Sequence, residues 1–332
     1  MSSKWKDTDY LFISTRLRAL ESKMLTRERM ERMLEARSNE DAVKVLAECG
    51  YDGLEPLTSA SLEQSLKKSR EETFAELAEL SPNGRIVDVF RMKYDYHNAK
   101  ALVKCAATGE DPARLLMDAG RVAPDEFRDA IRKGELGELP KALQTAIPQA
   151  QDVLSSTGDP QRSDFVLDRA YYQELTETAQ ASGSDFLQEY VRLLIDSANL
   201  RSAVRSIRMK KNLEFLGDVL VEGGDIDRSQ ISGAVTSGSK LEPVFAGPLQ
   251  EAAALGDTAA LGGSQTAFEK ACDDAVNKLL QRSRMIPFGD GVLVSYAAAR
   301  ENDITAARII LSGRLSGVPT TSIRERLREA YV

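Results

Sequence analysis

The residues able to do chemistry are few, and their spacing argues against most chemistry. A single histidine, His97, stands in the whole chain. That excludes histidine-based triads and metal sites built from several imidazoles. The cysteines, Cys49, Cys105 and Cys272, are odd in number, far apart and without the Cys-x-x-Cys spacing of a metal or redox motif. Each falls in a helical-looking segment, so all three read as buried reduced thiols, which favours a reducing compartment. The stretch from Gly256 to Thr266 carries glycines, yet Gly262-Gly263 is followed by no Lys-Ser/Thr pair to hold phosphate and magnesium. Carboxylates are plentiful but mixed with Lys and Arg. Glu71-Glu72, Glu76 and Glu79 form an acidic helix stripe, and Asp273-Asp274 is an isolated pair. The expectation is no catalytic residue, no cofactor and no metal.

Basic residues gather twice. Arg205, Arg208, Lys210 and Lys211 form the denser run; Arg324, Arg326 and Arg328 follow Arg314 near the end. Aromatic stacking residues do not interleave with either, and the formal net charge is −7, so nucleic acid is not the expected partner. A solvated face or a dock for an acidic protein surface remains. No run approaches the roughly 18 apolar residues of a membrane span, and Met1 to Lys6 lack the apolar core of a signal peptide.

The elements that must position these residues are helices. From Arg16 to Ala36 apolar residues recur at helical spacing, at Leu17, Leu20, Met24, Met30, Met33 and Leu34. Ser38 is a candidate N-cap with Glu40 and Asp41 in the following turn, and Gly50 fits as the stop. Asp185 with Gln188 reads as a capping box, followed by the stripe Phe186, Tyr190, Leu194 and Leu187, Val191, Ile195. Alternating runs and hairpin turns are scarce. The fold class expected is all-α. Breaks are expected at Gly109 to Pro124, at Pro140 to Pro160, and across the glycine-rich stretch Gly217 to Gly263.

The most specific signal is a repeat. Asp95-Tyr-His-Asn98-Ala-Lys100-Ala-Leu-Val-Lys104 matches Asp196-Ser-Ala-Asn199-Leu-Arg201-Ser-Ala-Val-Arg205, with acid, Asn, base, Val and base at identical offsets. A third copy, Asp303-Ile-Thr-Ala306-Ala-Arg308, keeps the acid and base and loses the Asn. Downstream, Leu116 to Gly120 with Phe127 and Ile131 parallels Leu220 to Gly224 with Ile231 and Val235; Gly317, Ile323 and Leu327 end the third copy. Arg16-Leu-Arg18 and Met30 to Leu46 read as a further, diverged version. One helical unit used two or three times is implied. Asp95 and Asn98 share a helix face, and Lys100 and Lys104 share another. The pairs either tie their helix to a neighbouring element or form a repeated polar surface towards a partner or cavity.

The same residues resemble a known family. Tyr10 followed by Arg16-Leu-Arg18-Ala-Leu-Glu21, the apolar helix to Leu34 and the Ser38–Tyr51 segment are similar to the start of the V-type ATPase C/d subunit family. Phe90-Arg-Met-Lys93-Tyr94-Asp95-Tyr-His97-Asn98-Ala-Lys100 resembles its best signature, and Asp303 to Leu327 its last motif. Ala306-Ala307 departs from the Asn-Leu expected there, and Gly217 to Gly263 matches poorly. The three cysteines and the compact length point to the archaeal and bacterial form, that of the A/V-type ATP synthases. The resemblance implies three similar helical domains forming a funnel around a central cavity, divided here at 1–107, 108–208 and 209–332. It also implies a rotor subunit without an active site, one copy per complex, on the cytoplasmic face of the membrane and held there by protein partners. It would join a shaft of subunits D and F to the membrane proteolipid ring. Residues expected to line the socket are Asp95, Asn98, Lys100, Asp196, Asn199, Arg201, Arg205 and Arg308.

Overall fold

The structure is a computed structural model describing residues 5–332; the polar start at residues 1–4 lies outside the described residues. The chain is all-α, with no strand among the described residues. In chain order the α-helices are α1 (Leu11–Glu21), α2 (Arg27–Glu35), α3 (Asn39–Glu48), α4 (Ser59–Leu80), α5 (Gly84–Thr108), α6 (Pro124–Lys133), α7 (Lys141–Thr157) and α8 (Pro160–Ser182). They continue with α9 (Asp185–Arg208), α10 (Leu213–Val219), α11 (Arg228–Ser237), α12 (Gln250–Ala260), α13 (Gln265–Gln281), α14 (Asp290–Leu315) and α15 (Thr320–Arg326).

Local sequence sets the helix ends. Ser38 caps α3 by accepting from the Asp41 N–H, and Gly50 beyond it takes φ +85°. The start of α9 is capped one residue earlier than its acid suggested: Ser184 accepts from the Leu187 N–H, and Asp185 sits in the first turn. Two expected breaks are helical instead. Pro148 lies inside α7, where Leu143, Ala146, Ile147 and Ala150 are buried. Their packing outweighs the roughly 3 kcal/mol that an internal proline costs a helix. The glycine-rich stretch from Gly217 to Gly263 contains α11 and α12. Gly256 allows a close helix approach there, since a Cβ would sit 2.8 Å from Val204 and 3.0 Å from Phe268.

The helices pack as three units of the same plan. A long helix is followed by short helices and then a second long helix. The first unit is α5 with α6, α7 and α8; the second is α9 with α10 to α13. In the third, α14 packs against α2, α3 and α4, so the two ends of the chain build it together. Their shared core joins Leu25, Met33, Leu46, Leu62 and Leu66 to Ile304, Ile310, Leu311 and Ile323. The other core runs through the first two units and the N-terminal half of α14, where Gly291 to Arg300 are all buried.

The leading long helices meet at their N-terminal halves. Phe90 of α5 lies 5.6 Å from Tyr190 of α9, ring centre to ring centre. A Cβ on Gly291 of α14 would touch the Phe186 ring of α9 at 3.4 Å. Glu301 of α14 binds Lys93 at 2.8 Å and Tyr94 Oη at 2.7 Å on α5, and Arg70 at 3.2 Å on α4. Helix α1 and the last residues meet the same segment: Arg18 of α1 donates to the carbonyls of Ser283 and Ile286, and the Tyr331 hydroxyl reaches Ser283.

Candidate partner-binding site

The repeated acid and amide act inside each unit. Asp95 is fully buried on α5, and its Oδ1 accepts from the backbone N–H groups of Arg121 and Val122 at 2.8 and 3.2 Å. Asn98 exchanges two hydrogen bonds with the Met117 backbone, both 2.8 Å. The second unit repeats this. Asp196 on α9 accepts from Asp225 and Ile226 N–H at 3.0 and 3.2 Å, and Asn199 exchanges two bonds of 2.9 Å with Val221. Both amides thus satisfy loop groups that would otherwise be stranded in the interior. The glycine before each loop is a steric requirement. A Cβ on Gly120 would lie 2.3 Å from Asp95 Oδ1, and one on Gly224 would lie 2.0 Å from Asp196 Oδ1.

In the third unit Asp303 of α14 is buried and accepts from the Leu25 N–H at 3.1 Å. Leu25 precedes the Thr26 cap of α2, as Val122 precedes α6 and Asp227, the cap of α11, follows Ile226. The diverged N-terminal version is therefore the missing loop of the third copy. The segment from Gly317 to Leu327 does not receive Asp303. Ala306 leaves the amide bond unmade.

The repeated bases are clasps as well. Lys100 pairs with Asp168 and Lys104 with Asp164, joining α5 to α8. Arg201 reaches Glu269 and Asp273, both at 2.6 Å, joining α9 to α13. Arg308 binds Glu63 through two nitrogens at 2.8 and 2.9 Å, joining α14 to α4. One base position thus links the two long helices of each unit.

Of the eight residues expected at a socket, Asp95, Asn98, Asp196 and Asn199 are buried and engaged by backbone. Lys100, Arg201 and Arg308 are partly exposed and ion-paired. Arg205 is the exposed member of the set, and it makes no ion pair among the described residues. It belongs to the basic run on the last turns of α9, and Lys210 and Lys211 are exposed just beyond. Large apolar side chains that the sequence did not single out are exposed nearby, Met209 at 51% and Leu213 at 58%. Lys211 lies 5.1 Å from the centre of the Phe215 ring, so this rim combines cations with aromatic and aliphatic surface. A second apolar group, Leu11 and Phe12 at the start of α1, is also exposed. Neither was legible as surface, because helical periodicity shows which face is apolar and not whether the molecule covers it.

The chemistry-bearing residues are placed as structural parts. Cys49, Cys105 and Cys272 are free and buried, and burial pushes the Cys272 thiol up to about 12. His97 Nε2 contacts the Leu115 carbonyl at 2.9 Å on the outside of α5. Asp273 accepts from both Arg201 and Arg328, and Asp274 from Lys270 and the Glu329 N–H. Among the described residues no group of three His, Cys, Asp or Glu is placed to hold a metal ion. No described helix is long and apolar enough to cross a membrane.

Three helical units around one clasp design, covering almost the whole sequence, define an all-α repeat protein. The chain belongs to the ATP synthase (C/AC39) subunit family, whose pattern matches residues 13–326. It is 22% identical over 331 residues to the C subunit of the V-type sodium ATPase of Enterococcus hirae, covering 97% of this chain and 99% of that protein. It is 24% identical over 341 residues to the C subunit of the A-type ATP synthase of Desulfurococcus sp. (strain SY), covering 97% and 91%. The corresponding A-type ATP synthase protein of Methanocaldococcus jannaschii is 22% identical over 345 residues, covering 96% and 86%.

Proposed function

We propose that the chain is the non-catalytic coupling subunit of a rotary A/V-type ATPase or ATP synthase. It links a shaft of subunits D and F to the membrane proteolipid ring and passes torque that drives, or is driven by, proton or sodium transport. One copy serves each complex, on the cytoplasmic side, held by its protein partners. The observation that carries this is the family match across residues 13–326, with relatives from V-type and A-type enzymes matched over nearly their full length. The geometry supports it: the polar repeat is spent on joining helices, as a torque-bearing body requires.

The three units, 84–182, 185–281 and 290–315 with 26–80, are the domains we assign to the funnel. The socket residues reduce to those that face solvent. Arg205, with Lys210 and Lys211, offers charge that fixes register against an acidic shaft more than it adds affinity. A freestanding open superhelix fits less well, because α14 and α2 to α4 close one unit from the two chain ends.

The test is co-purification with shaft and proteolipid-ring subunits, followed by calorimetric titration with the D–F pair. Arg205→Glu should weaken that binding without lowering thermal stability. Unchanged affinity would remove Arg205 from the interface, and ATP hydrolysis by the purified chain alone would overturn the non-catalytic role.

A further inference from the structure

The three buried aspartates do not have the same company. In the first unit the Arg121 guanidinium lies between Asp95, at 2.6 Å, and Glu174 of α8, at 2.7 Å. In the third unit Arg300 lies between Asp303, at 3.4 Å, and the Ser69 hydroxyl of α4, at 2.9 Å, with its guanidinium 5.3 Å from the centre of the Tyr51 ring. The two slots are the same place in the unit. Asp168 and Glu63 receive the repeated base of their units, and Glu174 and Ser69 each stand six residues further along the helix. Two arginines of different origin, one from a loop and one from the long helix itself, thus put a guanidinium in one position.

The second unit has the slot, but among the described residues no guanidinium pairs with its aspartate. Glu269 receives Arg201, and six residues on stands Ala275. The position of Arg121 is taken by Asp225, and that of Arg300 by Leu193. Asp225, Leu193, Ala275 and Asp196 all line one cavity of about 370 Å³ between α9 and α13. Asp196 is only 4% exposed, and the groups donating to it are backbone N–H groups. Burial pushes its carboxyl up to about 6, with the Arg192 guanidinium acting against the rise from a distance. Two cations, Lys278 and Arg282, and the acid Glu189 also line the cavity; Arg282 is paired with Glu189 and Lys278 with Glu251 at 3.5 Å, and Arg192 beside the cavity is paired with Asp225 at 2.9 Å.

We infer that this cavity is a binding site for an alkylguanidinium group, with Asp196 as its counter-ion. The molecule builds the same ion pair in the first and third units from its own side chains and leaves the second unit's aspartate open to a ligand. Apolar walls from Leu193, Ile226, Leu249 and Leu279 suit the alkyl part of such a ligand and not a bare metal ion. The inference is independent of the coupling role, since the cavity lies away from the basic rim of α9.

Agmatine and N-acetylarginine amide titrated into the full chain at pH 8, followed by calorimetry, test it. Saturable binding of agmatine is expected. Ala275→Leu, which fills the slot without touching the Asp196 hydrogen bonds, should abolish it. Asp196→Asn should weaken it at least about tenfold; if that variant does not fold, the Ala275→Leu result stands by itself. Equal binding of the blocked arginine would identify an arginine of a partner protein as the ligand's source. Binding of agmatine alone would identify a small free cation; both outcomes keep the site. Absence of saturable binding by either compound, or full binding by the Ala275→Leu variant, overturns it.

Discussion

The first and third units make the same clasp from differently connected chain. Asp95 finds its loop 26 residues downstream, and Asp303 finds Leu25 across a separation of 278. Closing the longer loop costs only about 2 kcal/mol more in chain entropy, because closure entropy grows with the logarithm of length. The comparison teaches that the buried acid specifies a geometry, N–H groups presented just ahead of a short helix. Which end of the chain supplies them is secondary.

The largest effect expected from breaking this comparison is at Asp303. Asp303→Ala removes the Leu25 acceptor and strands Arg300, which is 9% exposed. A loss of about 3–5 kcal/mol in urea unfolding follows, as for other buried charges deprived of their partner. Asp196→Ala strands no guanidinium and should cost about 1–3 kcal/mol. Equal losses at the two positions would remove Arg300 from the account.

Next are the glycines. Gly120→Ala and Gly224→Ala each push a methyl group into an aspartate oxygen, and about 1–3 kcal/mol should be lost on overpacking. Gly233→Ala, whose new methyl would meet open space on α11, is the control and should leave the urea midpoint unlowered.

A pH series tests a feature that the units share, since burial raises the carboxyls of Asp95, Asp196 and Asp303 alike. The folded pKa of Asp196 is raised to about 6 from an ordinary value near 4. The unfolded chain therefore loses its proton first, and the contribution of this group to stability falls as pH rises from about 4 through 6. Wild type should lose stability over that window relative to Asp196→Asn, measured as the difference in urea midpoint. A constant difference would show that folding does not raise the pKa of Asp196.

The smallest effects belong to the helix-joining bases. Lys100→Ala and Arg308→Ala remove partly exposed ion pairs and should each cost about 1 kcal/mol at most. A loss several times larger, read from thermal unfolding, would mean that these pairs brace the units more than their exposure allows.

Much of this was legible in the sequence. The all-α class, the repeat at Asp95, Asp196 and Asp303, the loss of the amide at Ala306 and the burial of the cysteines all follow from residue type and spacing. Other features were not. Pro148 reads as a break because local propensity opposes a helix there, and only packing of α7 overrules it. Asp95 and Asn98 could face a partner or a neighbouring loop, since spacing fixes a shared face and leaves open what covers it.

The sequence by itself determined which residues recur, and hence that one helical design is used two or three times, because identical offsets on a helix impose identical directions. The tertiary structure decided what those directions meet. It turned the acids and amides inward onto loop N–H groups and spent the bases on α5–α8, α9–α13 and α14–α4. It also completed the third unit from both chain ends and left one guanidinium slot open beside Asp196. The physical reason is that periodicity is a local property of the chain. Burial, pairing and a missing counter-ion depend on which distant segments arrive at the same place.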